Sequence, residues 1–251
     1  MWHLLEHREM KRLARGRSAA RFGSRPQPAL RAGIDLLPQI KHIVVLMMEN
    51  HSYDNYLGML PGRGEGFPLA PDGRPEHLRE ACEGSLRRLR LEQIALYQFH
   101  RPDPKVPLAE SIGALVELKA AGKIRHIGVS NVSESQLREA ERITPVVSVQ
   151  NRYNLVDRES DPVVDVCDQD MLDFLPWAPI QDADRIPPVL AAANSHRVSA
   201  RQIALAWLLA RSPQVLPIPG SGSPEHVAEN VAAASIELTS SEEKAISNAA
   251  V

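Results

Sequence analysis

Long apolar runs are missing from this 251-residue chain. A membrane-spanning helix needs roughly 20 consecutive apolar residues, and Ile43 to Met48, the apolar run nearest the front, holds six. Cysteine is scarce: Cys82 and Cys167 stand far apart. Two such residues make neither a disulfide framework nor a metal-ligand spacing, and they point to a reducing, cytoplasmic setting. Aromatic residues make up only 4% of the chain, and the 14 glycines are outnumbered by 20 prolines. Net charge is almost absent, at −2. The chain as a whole therefore lacks the field that recruits nucleic acid or a membrane surface, and neither is expected as a partner. A hydrophobic content of 43% against 24% charged residues is that of a soluble globular protein.

The small net charge hides an uneven distribution. Residues 1–33 carry seven Arg and one Lys against Glu6 and Glu9, a net of +6, so the remainder carries −8. No apolar segment with a small-residue cleavage site follows this basic arm, which argues against a secretory signal. The sequence predicts three zones: a basic, disordered leader over 1–36, a segment over 37–71 with one apolar run and a Gly/Pro-rich loop, and a regular region over 72–251.

In the regular region the pattern alternates. Pro75 stands at a helix start, where its missing N–H costs nothing, and Leu78, Cys82, Leu86 and Leu89 follow at helical spacing. Short apolar stretches at 94–100, 124–131, 146–151, 172–179 and 215–220 read as strands. Helical segments separate them, with Ser133 as a cap and Gly122 as a stop. Five strands alternating with helices predict a parallel sheet of βαβ units. Alternation alone does not separate an open sheet from a barrel, and eight such units would be needed to close a (β/α)8 barrel. His100, Asn131, Gln150 and Gly220 fall at or near predicted strand ends, where parallel α/β folds place their sites. The string "GSGSPE" leads into a helix start, whose free N–H groups favour an anion, and Gly220 and Gly222 let the backbone approach it closely.

The strings "SLRRLRLEQIALYQFHRPDP", "LKAAGKIRHIGVSNVSESQL", "VVSVQNRYNLVDRES" and "ALAWLLARSPQVLPIPGSGSPEHVAENVAAASIEL" occur in this order. Together they resemble the aldo-keto reductase family over strands four to eight of its barrel. The resemblance implies an incomplete (β/α)8 TIM barrel of five βα units and an NAD(P)H-dependent reductase of small carbonyl compounds. By position it implies that His100 polarises the carbonyl, that Ser130, Asn131 and Gln150 hold the nicotinamide carboxamide, and that Trp177 stacks on the nicotinamide ring. It also implies that Gly220, Ser221 and Ser223 cradle a phosphate and that Glu229 and Asn230 contact the adenine.

The departures from that family are equally legible. Its proton donor is a Tyr tuned by a Lys and an Asp, all supplied by the first three strands. The tyrosines here are 53, 56, 97 and 153 and the lysines 11, 41, 105, 119, 123 and 244, and none falls at the family positions. Strand alternation sets Tyr97 on the face opposite His100. The Lys expected for a 2′-phosphate would fall at Gly220 and the matching Arg at His226, so the resemblance does not decide between NADP and NAD. Five units cannot close an eight-stranded barrel, which leaves apolar surface and strand edges exposed.

Residues 39–69, "QIKHIVVLMMENHSYDNYLGMLPGRGEGFPL", resemble a different family, the phosphoesterases that include bacterial phospholipases C and acid phosphatases. That resemblance implies a strand ending in a metal-binding pair, here Glu49 and Asn50. The other ligands of such a site have no counterpart downstream, so no metal is expected to bind. The chain thus reads as a fusion: one foreign strand joined to a truncated reductase. The run 42–49 is expected to pair beside strand 94–100, bringing Glu49 toward His100. Three functional classes follow: an impaired carbonyl reductase, a catalytically silent nucleotide-binding remnant, and, least supported, a metal-dependent phosphoesterase.

Overall fold

The computed structural model describes residues 72–249. The expected leader and the expected pairing of 42–49 lie outside the described residues.

Helix α1 (Pro75–Leu89) begins with proline in its first turn and buries Leu78, Cys82 and Leu86. It ends where Arg90 adopts a left-handed conformation, φ 55°, and returns its N–H to the carbonyls of Arg87 and Leu86. Strand β1 (Ile94–Phe99) follows, then α2 (Leu108–Ala120), β2 (Ile124–Ser130) and α3 (Glu134–Ile143). Helix α3 starts in a reciprocal box: the Ser133 hydroxyl accepts from the Gln136 N–H while the Gln136 side chain accepts from the Ser133 N–H, so two otherwise unpaired backbone donors are satisfied. Next come β3 (Val146–Gln150), α4 (Asp161–Asp170) and β4 (Asp173–Phe174). Helices α5 (Pro187–His196), α6 (Ala200–Arg211), α7 (Pro224–Ala232) and α8 (Ser240–Ala249) complete the described chain. None is long and apolar enough to cross a membrane.

The strands pair in parallel in the order β1-β2-β3-β4. Consecutive parallel strands joined through helices take right-handed crossovers, so the helices lie on one face. On that face Phe99, Val129, Val149 and Phe174 are paired or adjacent in register and essentially inaccessible to water. The opposite face carries Gln98, Gly128 and Ser148 in one row, with Leu96 and His126 exposed below. Helices on one face and a polar row on the other make this a curved, partial barrel, as expected.

The last two strands are shorter than expected. Instead of 172–179, regular β4 covers two residues and then resumes as an isolated bridge between Arg152 and Trp177. Leu175 and Trp177 still donate to the Val149 and Asn151 carbonyls on that side, so alternation turns Pro176 toward the fifth strand. Instead of 215–220, the fifth strand is a single bridge between Phe174 and Val215. It is held by Phe174 N–H to the Gln214 carbonyl and Leu216 N–H to the Phe174 carbonyl, both 2.8 Å. Pro176, on the same edge of β4 as Phe174 and without an N–H, stops this ladder. Helix α5 is not among the expected segments, although it carries a start signal, Pro187-Pro188, followed by buried Val189, Ala192 and Ala193.

The inner row explains a glycine. The Gln98 amide crosses Gly128 to donate from Nε2 to Ser148 Oγ at 3.1 Å. A Cβ at residue 128 would collide with both Gln98 Oε1 and Ser148 Oγ. Gly128→Ala is therefore expected to destabilise the fold by about 1–3 kcal/mol through overpacking, read as a lower urea midpoint at unchanged slope.

Candidate functional site

The C-terminal ends of β1, β2 and β3 converge because their registers align: Ser130 pairs with Gln150, and His100 follows Phe99, which pairs with Val129. The cluster is tied by hydrogen bonds. The Gln150 carbonyl accepts from the Asn131 N–H at 3.1 Å and from Ser130 Oγ at 2.5 Å. Asn131 sits at φ 56°, a left-handed conformation that asparagine tolerates better than most residues. That turn lets its side chain reach back across the site. Its Nδ2 donates to the His100 carbonyl at 2.9 Å and to Ser130 Oγ at 3.0 Å, while its Oδ1 accepts from the Trp177 indole Nε1 at 3.0 Å. Four of the expected site residues, His100, Ser130, Asn131 and Trp177, thus form one bonded chain, and Gln150 supplies its backbone anchor.

Trp177 is also held from behind. The Arg152 guanidinium lies 5.5 Å from its ring centroid, within cation–π range. Arg152 is fixed by Asp157 at 3.0 Å and by Gln181 Oε1 at 2.9 Å. Asn151 joins the neighbouring loops: its Nδ2 donates to the Val132 carbonyl at 2.7 Å and its Oδ1 accepts from the Val132 N–H at 3.1 Å. A cleft of about 710 Å³ opens against Asn131 and Trp177, walled by Arg101, Asp103, Val106, Gln136 and Glu139. That size suits a small-molecule site. Arg152 and Asn151 were not singled out in the sequence, although both lie inside the quoted "QNRYN" string.

The second group of expected residues lies on the loop after Val215 and on α7. Ser223 caps α7, its hydroxyl accepting from the His226 N–H and donating to Glu225 Oε2 at 2.7 Å. That bond holds the Glu225 carboxyl below its ordinary range. Ser221 Oγ donates to the Ser223 carbonyl at 3.3 Å. A Cβ on Gly220 or Gly222 would meet nothing within 4 Å, so the loop borders open space. Glu229 contributes its backbone carbonyl to Gln202 Nε2 at 3.1 Å, and its side chain is exposed, as Asn230 partly is.

His100 is exposed. Neither described tyrosine reaches it as a bonded partner. Tyr97 faces α1, where burial first and then the neighbouring Cys82 raise its phenol pKa, against a hydrogen bond with Ser85 that lowers it. Tyr153 is fully buried and donates to Asp161 Oδ1 at 2.5 Å. It meets Phe174 edge-on, centroids 5.7 Å apart, and stacks with Trp207 at 6.0 Å. The Arg158 guanidinium lies 4.0 Å from the Trp207 ring centroid and 6.0 Å from that of Tyr153. Tyr153 is therefore a structural post beneath the 150–154 turn.

The Aldo/keto reductase family profile matches residues 65–250. The chain belongs to the aldo/keto reductase family. Among relatives of this aldo/keto reductase, an oxidoreductase of Schizosaccharomyces pombe described as uncharacterized is 43% identical over 173 residues, covering 68% of this chain and 56% of the relative. Pyridoxine 4-dehydrogenase of Escherichia coli is 33% identical, covering 70% and 65%. The crystal structure of an aldo/keto reductase from Klebsiella pneumoniae in complex with NADP and acetate superposes with a TM-score of 0.61 at 30% identity, covering 70% of this chain and 67% of that one. The chain thus spans only 56–65% of the length of these two curated relatives. The Phosphoesterase family profile matches residues 40–80, so the two matches overlap at 65–80.

Burial first, then the bond to Asp161, pushes the Tyr153 phenol up to about 12, against about 10 in an unfolded chain. Between those values the folded state retains a proton that the unfolded state has lost. Stability is therefore full below about pH 10 and declines as pH rises toward 12. Tyrosinate absorbance at 295 nm should show this phenol titrating late, with unfolding setting in over that window; ionisation near 10 without loss of structure would refute the placement.

Proposed function

We propose that this aldo/keto reductase binds a nicotinamide dinucleotide at the strand ends and that its carbonyl reduction is impaired. The observation that carries the reading is the bonded chain from His100 through Asn131 to Trp177, next to the anchored Ser130 and Gln150. It holds an aromatic platform, two amide side chains and a hydroxyl together at the sheet end where parallel α/β folds bind ligands. The residues fit the group: Trp177 would carry the nicotinamide ring, Ser130, Asn131 and Gln150 its carboxamide, and Gly220, Ser221 and Ser223 a phosphate, with Glu229 and Asn230 toward the adenine. When bound, the dinucleotide supplies hydride. His100 would polarise the oxygen of a small carbonyl substrate.

What is lacking is the proton. Among the described residues no tyrosine stands with His100, and Tyr53 and Tyr56 lie outside them. Losing a positioned general acid costs about 10²- to 10⁴-fold in rate. Both profile matches support a fusion origin for the chain, with a phosphoesterase-like front of about 37–71 and a partial reductase barrel from 72 onward. A catalytically silent nucleotide binder is the limiting case of the same reading. Phosphoesterase chemistry is the least favoured reading: that family's match covers residues 40–80 alone, and the adjacent pair Glu49 and Asn50 does not make a metal site by itself. Buried free thiols at Cys82 and Cys167 accord with a cytoplasmic setting.

The phosphate loop favours the dinucleotide without a 2′-phosphate. No Lys or Arg occurs between Arg211 and Lys244, and Glu225 already occupies the Ser223 hydroxyl. NADH titrated into the full chain should quench tryptophan fluorescence, and Trp177→Phe should abolish the quench. NADPH should bind about tenfold more weakly, the scale of one unfavourable charge contact, and Glu225→Gln should narrow the gap. Absence of any quench, with the protein folded by circular dichroism, would overturn the reading. A test aldehyde should be turned over at least about 100-fold more slowly than by a full-length relative, and rates within a few-fold would show that another group supplies the proton.

A further inference from the structure

Trp177 does more than offer a ring, because it fixes which end of the Asn131 amide meets a ligand. An indole N–H is only a donor, and a backbone carbonyl is only an acceptor. Asn131 is held between one of each: Trp177 Nε1 lies 3.0 Å from its Oδ1, and the His100 carbonyl lies 2.9 Å from its Nδ2. Turning the amide over would set donor against donor and acceptor against acceptor. The second Nδ2 hydrogen goes to Ser130 Oγ at 3.0 Å, so Asn131 has no donor left.

Ser130 is committed in the same sense. Its hydroxyl hydrogen goes to the Gln150 carbonyl at 2.5 Å, another group that can only accept. What remains on Asn131 and Ser130 is lone-pair capacity alone. Two acceptors side by side, with no donor between them, discriminate in favour of a ligand that brings hydrogens.

We propose that Trp177 is a specificity-determining residue: by locking the Asn131 amide with its oxygen exposed, it makes the site select a ring substituent bearing an –NH₂ group over one bearing only acceptors. This rests on the dinucleotide-binding reading and sharpens it, since a primary carboxamide has the required donor. A 3-acetyl group has the same shape and no charge but no hydrogen to give. An Asn oxygen and a serine oxygen would then face a methyl group; each keeps its internal donor, but the hydrogen bond that an –NH₂ group would add is forgone, which weakens binding.

The experiment uses the full chain and two oxidised dinucleotides, NAD and its 3-acetylpyridine analogue, with affinities from calorimetry. The wild type should prefer NAD by about tenfold, the scale of one lost hydrogen bond in a partly buried site. Trp177→Phe, which keeps a ring but removes the indole donor and frees the amide to turn, should bring the ratio to within about threefold. Equal affinities in the wild type, or undiminished preference in Trp177→Phe, would overturn the proposal and leave dinucleotide binding standing. Failure of the folded wild type to bind either compound would overturn the binding reading and the proposal together. A check without substitution is the Trp177 indole ¹H–¹⁵N resonance: it should exchange slowly and persist when NAD is added. Rapid exchange, or loss of the bond on binding, would refute the lock.

Discussion

The carbonyl oxygen of Gln150 is where the end of the sheet is tied off. It receives the Asn131 N–H and the Ser130 hydroxyl, closing the last rung between β2 and β3 with one backbone and one side-chain donor. Because a buried carbonyl must be paired, that closure sets where β2 stops and forces Asn131 into a left-handed turn. The turn aims the Asn131 side chain back at His100 and sideways at Trp177. Move that oxygen and the bonded chain across three strands has no origin. Tyr153, three residues further on, holds the same turn from below, wedged among Phe174, Trp207 and Asp161.

Where periodicity and backbone chemistry agree, the fold was open to reading from sequence. Leu78, Cys82 and Leu86 lie on the buried stripe of α1, Ser133 caps α3, and β1 to β3 run close to the expected spans. The failures have physical causes. Apolar character in 172–179 and 215–220 signalled strands, but Pro176 lacks the donor that would extend the pairing past Phe174, leaving a bridge. Helix α5 carries its start signal in Pro187-Pro188 and a narrow apolar stripe, which is easily lost between two loops.

The site was legible as positions and not as connections. Strand ends and a family pattern were enough to single out His100, Ser130, Asn131, Gln150 and Trp177. Sequence alone could not show that Asn131 spans from His100 to Trp177, because that depends on one residue's left-handed φ. Nor could it show Arg152 behind the indole, since a charged residue in a loop reads first as solvated. The phosphate loop is the converse case: its hydroxyls were visible, and their engagement with each other and with Glu225 was not.

The shortness of the fifth-strand pairing has one more consequence. The fifth strand is fastened to the sheet by two backbone hydrogen bonds, both on Phe174, whereas β1 and β2 share a continuous register over most of their length. Cooperative opening begins where few backbone bonds must break. The partial barrel therefore has a built-in direction of fraying. The segment bearing Val215, and with it the loop leading to α7, can detach from Phe174 while the β1–β3 ladder stays closed, so the half of the site that would meet the phosphates can loosen while the half around Asn131 remains intact.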